Sequence, residues 1–413
     1  MMRSLCILGR QPAIGLAELE SLYGSSKIKP LGTQAVLVDV DPCLLAFDRL
    51  GGSLKFCKVL TELETTNWSD IEKFLIEVSP GHAAKLPVGK MRLGLSVYDF
   101  KLSPKKLMAS GLTIKKAIAR SGRSVRLVPN TEPALSSAQV LHNQLTGPLG
   151  WELIFIKNGN QTLVAQSIKV QDINSYTLRD RGRPKRDARV GMLPPKLAQI
   201  IINLAVGELP DEAKQSVCDI PPDVPIPAPH FVDKVILDPF CGTGVILQEA
   251  QLMGYNTYGS DIDERMVNYS KQNLDWLVEK FRLAPTNYFL EQGDASQAQW
   301  QHDFTIVASE TYLGRPFTST PNPTILNQTV GEVDLILKKF LLNLRSQTKA
   351  GFRICLAVPA WQSSQTFKHL PLLDRLTDMG YNRLSFAHAR HEQLIYYRPG
   401  QFVGRELVVL IRK

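Results

Sequence analysis

The sequence predicts an α/β protein whose C-terminal half is a doubly wound sheet closed by an antiparallel strand, with smaller α+β units before it. Three observations predict this. Residues 236–247 (ILDPFCGTGVIL) read as an apolar strand, an aspartate, a glycine turn and the start of a helix, the unit that opens a ligand crevice at the carboxyl ends of such a sheet's strands. Further strand signals follow it with helical stretches between them: YNTYGSDID, YFLEQGDASQ and DFTIVASETYLGRPF. At 413 residues the chain exceeds one typical core, so two or three domains are expected.

From the N-terminus, SLCILG and QAVLVDV read as strands by their apolar, β-branched content, and GLAELESLY (15–23) has helical spacing through Leu16, Leu19 and Leu22. These fill a first module, residues 1–55. A second module, 56–176, holds strands MRLGLSVYDF (91–100) and WELIFIKNG (151–159), with helical periodicity between them that Gly111 is expected to break. From Lys101 to Arg126 there are eight Lys or Arg and no acid. A run of one sign marks a solvated face or an anion-binding face. Lys105, Lys106, Lys115, Lys116, Arg120, Arg123 and Arg126 are candidate phosphate contacts, which give affinity without reading sequence.

The third module is 177–413. It opens on a second basic stretch, with Arg181, Arg183, Lys185 and Arg186 as candidate RNA contacts or domain-interface ion pairs. Pro194-Pro195 then starts an apolar helix, at a position where proline costs no helical hydrogen bond. Residues 219–230 (DIPPDVPIPAPH) hold five prolines and read as an extended surface insertion. After the fourth strand of the sheet, FRICLAVPAW, LPLLDRLTDMGYNRLS and RELVVLIRK read strand, helix, strand, and supply the later strands and the antiparallel closure.

Bulk properties narrow the partners. No stretch reaches the apolar length that spans a membrane, and the N-terminal run MMRSLCILGR lacks a signal-peptide core, so a cytoplasmic location is expected. Cys6, Cys43, Cys57, Cys218, Cys241 and Cys355 have no zinc-ligand or disulfide-frame spacing, so no metal is expected. The net charge of +9 suits a polyanionic partner.

The glycine turn is the sharpest signal. Gly242 and Gly244 let the backbone bend and approach a ligand, and the helix after them offers free N–H groups to an anion. A dinucleotide fingerprint would need a third glycine at 247, where Leu247 stands. Strand two ends at Asp261, placed to accept from two ribose hydroxyls. Asp263 competes for that role or caps the next helix. Asp294, in Gly293-Asp294-Ala295, is a ligand contact or a turn aspartate.

DPFCGTG resembles motif I of the S-adenosylmethionine (SAM) methyltransferases, in the form found in enzymes that methylate exocyclic amines of nucleic-acid bases. The N-terminal LGRQPAIGLAELESLYG and the basic-helix module resemble the ferredoxin-like and THUMP modules of the tRNA guanosine-N2 methyltransferases. RGRPKRDARVGMLPPKLAQIIINLA resembles that family's entry into a Rossmann-like catalytic domain. The resemblance implies SAM as cofactor, held by Asp238, Phe240, Cys241, Gly242, Thr243, Gly244, Asp261, Asp294 and Ala295. It implies tRNA as partner and guanosine N2 as methyl acceptor, and it leaves open a small activating subunit and the oligomeric state.

The chain departs from the family at the fourth motif. The family carries D/N/S-P-P-Y/F/W there, to accept from the target amine and stack on its base. This chain reads Ser309-Glu310-Thr311-Tyr312 without either proline. Ser309, Glu310 and Tyr312 are the catalytic candidates, with Glu310 in the place of the usual aspartate and Tyr312 as the stacking ring. Methylation of adenine N6, and a tRNA-binding protein with a relic SAM site, stand as alternatives.

Overall fold

A computed structural model describes residues 3–187, 192–209, 231–283, 287–317, 321–363 and 366–413. The expected proline-rich insertion at 219–230 lies outside these residues. The chain forms two compact units: Met1–Pro12, Ser26–Asp48 and Ser53–Ser175 make the first, and Ala13–Ser25, Arg49–Gly52 and Tyr176–Lys413 the second.

The first unit is built on an eight-stranded sheet among the described residues. Its strands are β1 (Ser4–Leu8), β2 (Ile28–Leu31), β3 (Ala35–Val38), β4 (Ser53–Leu63), β5 (Met91–Tyr98), β6 (Val125–Leu127), β7 (Gly150–Asn158) and β8 (Gln161–Val170), in the order β2-β3-β1-β4-β8-β7-β5-β6. The boundary expected at residue 55 falls inside β4, because that strand pairs with β1 on one side and β8 on the other and so runs both expected modules into one sheet.

Successive residues of β7 point to opposite faces. Trp151, Leu153 and Phe155 join one apolar cluster, with α2 (Trp68–Lys85) and α3 (Pro104–Arg120), while Ile154 and Ile156 join another. Helix α3 is capped by Ser103, whose hydroxyl accepts from the Lys106 amide. It buries Leu107, Gly111, Ile114 and Ile118, and Lys105, Lys106, Lys116 and Arg120 remain exposed on the other side. Gly111 does not break the helix as expected. A Cβ there would lie 2.8 Å from Leu127 Cδ1, so the glycine permits close packing of helix on strand.

The second unit holds most of α1 (Pro12–Tyr23) and of α5 (Ile173–Arg181), with α6 (Pro195–Val206), α7 (Val245–Leu252), α8 (Glu264–Phe281) and α9 (Pro323–Gln347), after α4 (Ser137–His142) of the first. Its sheet comprises β9 (Phe231–Asp238), β10 (Tyr255–Asp261), β11 (Tyr288–Gln292), β12 (Ile306–Glu310), β13 (Arg353–Ser363), β14 (Thr366–Lys368), β15 (Tyr381–Arg383), β16 (Ile395–Tyr396) and β17 (Val403–Arg412). The order is β11-β10-β9-β12-β13-β17-β15. Strands β11, β10, β9, β12 and β13 run parallel, and β17 is antiparallel to both β13 and β15, the closure expected from the sequence.

Period-2 alternation makes three layers. Ile306, Ala308, Cys355, Ala357, Leu407 and Val409 pack with α6 and α7, and Val307, Ile354, Leu356, Val408 and Leu410 pack with α9. Helix α1, read from sequence as part of the first module, contributes Ile14 and Ala17 to the core of the second unit. Its buried Glu18 accepts from the amides of Gly51 (2.9 Å) and Gly52 (2.8 Å) and from Asn203 Nδ2 (2.7 Å).

One expected helix is absent. The segment 370–385 folds as a 3₁₀ turn, Pro371–Arg375, followed by β15. Fewer than ten residues separate Pro371 from Gly380, whose φ of +86° ends any helix, and the amides of Leu373, Met379 and Gly380 take i−3 carbonyls. No described helix is long and apolar enough to cross a membrane.

Candidate active site

The sheet order reverses at β9, between β10 and β12. At such a switch point the connections leave in opposite directions and open a crevice at the carboxyl edge. Asp238 ends β9, Asp261 ends β10, and Glu310 ends β12, so three carboxylates arrive at one edge.

The turn after Asp238 is held by long-range bonds. The Cys241 amide donates to Ser260 O (3.0 Å), Ser270 Oγ to Gly242 O (2.8 Å), and Asn273 Nδ2 to Thr243 O (2.8 Å). Gly242 and Gly244 have φ of +51° and +78°, where a side chain is strained. A Cβ on Gly244 would also meet Ser270 Oγ at 2.8 Å. Helix α7 follows directly, and its N-cap, Gly244, makes no side-chain cap bond. Phe240 packs edge-to-face on Phe340 with ring centroids 5.2 Å apart. Burial pushes the Cys241 thiol well up, so it is an inert packing group.

The two candidate aspartates of the second strand have separate jobs. Asp263 Oδ1 accepts from the Arg265 amide (2.9 Å) and caps α8. Asp261 takes the Gly242 amide on Oδ2 (2.9 Å) and the Asp263 amide on Oδ1 (3.0 Å), which locks its carboxylate beside the turn. Partial burial pushes its pKa up, and the two amides oppose that shift. Asp294 Oδ1 closes its own turn on the Ser296 amide (2.9 Å), and Oδ2 has a long contact to Gln297 Nε2 (3.4 Å); Ala295 beside it is buried.

At the fourth motif the structure revises one reading. Ser309, expected to accept from a substrate amine, is fully buried and donates its hydroxyl to Asp238 Oδ1 at 2.5 Å. Without the prolines β12 runs on as regular strand, Ser309 opposite Leu356 and Glu310 opposite Ala357, and Thr311 N continues to Ala357 O (3.1 Å). Glu310 Oε1 accepts from Arg405 Nε at 2.6 Å. Tyr312, next but one, is 41% exposed.

Against known proteins, residues 230–309 match the UPF0020 family, described as an RMKL-like methyltransferase domain. The matched residues lie within the second unit. A tRNA (guanine(10)-N2)-dimethyltransferase of Methanothermobacter thermautotrophicus is 29% identical over 170 residues, covering 41% of this chain and 39% of that protein. One from Pyrococcus abyssi is 30% identical over 131 residues, covering 32% and 30%. The chain thus spans about two fifths or less of the relatives' own length. Over the full length of both chains, the crystal structure of TrmN from Thermus thermophilus shares the fold, with a TM-score of 0.51 and 14% identity.

The basic candidates divide. In the first unit Lys105, Lys106, Lys116, Arg120 and Arg126 are exposed, while Lys115 and Arg123 are half-buried and Arg123 donates to Pro87 O. In the second unit Arg181 and Arg186 are exposed. Lys185 lies against the Tyr269 ring, and Asn273 clasps its backbone with bonds of 2.9 Å each way. Arg183 cannot meet RNA phosphate as placed. It is 3% exposed, because residues 182–187 fold down along α8 toward the glycine turn.

Arg405 and Asn273 carry no local sequence signal and were missed; each acts on a group far away in sequence. Asp238 also behaves in a way its motif does not announce. Burial pushes its pKa up to about 7, with Asp261 and Glu310 adding to the rise and Ser309 and the Phe240 amide opposing it. A carboxyl raised from 3.8 to about 7 adds stability in full below about pH 4, and that stability is lost as pH rises through 7. Asp238→Asn has no such charge to bury. From pH 4 to 7 its stability should therefore gain on wild type, by up to ~1.4 kcal/mol per pH unit. Denaturant melts across pH 4–8 check this, and parallel curves for the two proteins would contradict it.

Proposed function

We propose that this chain transfers the methyl group of SAM to an exocyclic amine of tRNA, guanine N2, in the cytoplasm. The observation that carries the reading is the carboxyl edge of β9, β10 and β12, where a preorganised aspartate and a two-glycine turn follow β10 and β9, and an exposed tyrosine stands two residues beyond the end of β12. The name of the archaeal relatives supports guanine N2 as the target.

The residues fit SAM. Gly242 and Gly244 allow the turn its positive-φ backbone, against which the ligand's methionine part would lie, and the start of α7 offers amides to its carboxylate. Asp261 has lone pairs left for both ribose hydroxyls, and Asp294 Oδ2 for the adenine amine. When bound, SAM supplies an electrophilic methyl group on a sulfonium. The protein's part is alignment and exclusion of water. Tyr312 would stack on a base flipped from the RNA. Glu310 would accept from its amine, drawing electron density onto the nitrogen and taking up the proton released on transfer. The exposed basic face of α3, in the unit whose sequence resembles a THUMP domain, would hold RNA phosphates.

One observation favours the non-catalytic alternative: Ser309 is already bonded to Asp238 and Glu310 to Arg405. The two readings part in a simple assay. Incubating the protein with labelled SAM and an unmodified tRNA transcript, then separating nucleosides, should yield N2-methylguanosine. Label in N6-methyladenosine would move the target to adenine, and no label at all would favour the relic.

A further inference from the structure

We infer that Glu310 and Arg405 together read the Watson–Crick edge of guanine and reject adenine, with Arg405 an unforeseen specificity residue of the site. The inference rests on the proposed function and deepens it. Arg405 lies near the start of β17, opposite Pro359 of β13 and Tyr396 of β16. Because β17 is antiparallel, its first residues reach the carboxyl edge where β12 ends.

The pair is asymmetric. Arg405 Nε is spent on Glu310 Oε1, and this is the contact that fixes both side chains. Glu310 Oε2 and the two Nη groups of Arg405 make no hydrogen bond among the described residues. Both side chains are largely buried, at 13% and 9% exposure, so few rotamers are open to them. What remains is one anionic acceptor beside a fork of N–H donors.

Guanine presents O6 as acceptor and N1–H and N2–H as donors along one edge. Oε2 can accept from the donors while Arg405 donates to O6, so every group is paired. Adenine presents a bare N1 beside its N6 amine. The carboxylate would then face a lone pair, and the guanidinium would face an amine with nothing to accept its proton. An unpaired polar contact in a confined site is costly, so the selection comes from adenine's penalty as much as from guanine's gain. Ser309 takes no part, since its hydroxyl is committed to Asp238.

The test uses 5′-GMP and 5′-AMP, titrated by saturation-transfer NMR onto the full chain with S-adenosylhomocysteine present. Wild type should favour GMP by about tenfold or more. Glu310→Gln turns one acceptor into a donor that suits adenine N1, so the preference should vanish or reverse. Glu310→Asp keeps the charge and should keep the preference. Arg405→Lys keeps a cation without the fork and should weaken GMP more than AMP. If Glu310→Gln fails to fold, Glu310→Gln/Arg405→Gln removes both charges together and should also lose the preference. Equal binding of the two nucleotides by wild type, or a GMP preference intact in the folded Gln variants, overturns the inference. Methyl transfer by wild type to tRNA is scored in parallel. Its absence defeats the proposed function, while the titration still judges the two residues.

Discussion

Asp261→Ala should abolish SAM binding. The carboxylate is already fixed by the amides of Gly242 and Asp263, so no ordering cost falls on the ligand. Two hydrogen bonds to an ionised acceptor, at about 1.5–3 kcal/mol each, put the loss at roughly two to four orders of magnitude in Kd. The Gly242 amide would lose its acceptor as well, loosening the turn proposed to hold the methionine part. Asp261→Asn keeps the shape but can accept through one atom only, and should fall between wild type and the alanine variant. Calorimetry with SAM measures all three. An affinity for Asp261→Ala within threefold of wild type would leave the ribose role without support.

Tyr312→Ala should lower kcat/KM for tRNA by about tenfold to a hundredfold, the range that a lost base stack commonly costs. SAM affinity should stay as it was, because the ring is assigned to the acceptor base. Tyr312 is 41% exposed, so its removal leaves the core intact and the melting temperature nearly unchanged. Tyr312→Phe retains the π-face and should retain most of the rate. Quantifying methylated nucleosides from tRNA after single-turnover reactions separates these outcomes. Wild-type rates in Tyr312→Ala would point to a different stacking partner for the base.

What could be read from the sequence was local. The strand–turn–helix at 236–247, the aspartate that ends β10 and the helical cap at Asp263 all lie within short segments whose residue types dictate their conformation. The parallel sheet and its antiparallel closure followed from the run of strand and helix signals. What could not be read was long-range pairing. Ser309 meets Asp238 across 71 residues, and Glu310 meets Arg405 across 95. Nothing in either neighbourhood shows that the first hydroxyl is buried and the second carboxylate paired.

Charge misled for a related reason. Arg183 belongs to a basic run that reads as surface, yet Asn273 fastens the adjoining backbone to α8 and carries that arginine inward. Helix α1 shows the same limit. Its amphipathic spacing is legible, but its assignment to the second unit depends on Glu18 meeting two glycine amides and Asn203. The expected helix after 370 had apolar residues at the right spacing and too few residues before Gly380 to propagate.

The turn at 241–244 and Asp261 are proposed to hold a nucleoside sulfonium donor with its reactive centre toward Tyr312. A crystal structure with S-adenosylhomocysteine tests it most directly. Both ribose hydroxyls should lie within about 3 Å of the Asp261 carboxylate oxygens, the amino-acid end at the start of α7, and the sulfur on the side of Tyr312 and Glu310. Ligand bound elsewhere, or bound here with its sulfur facing away from Tyr312, would contradict it.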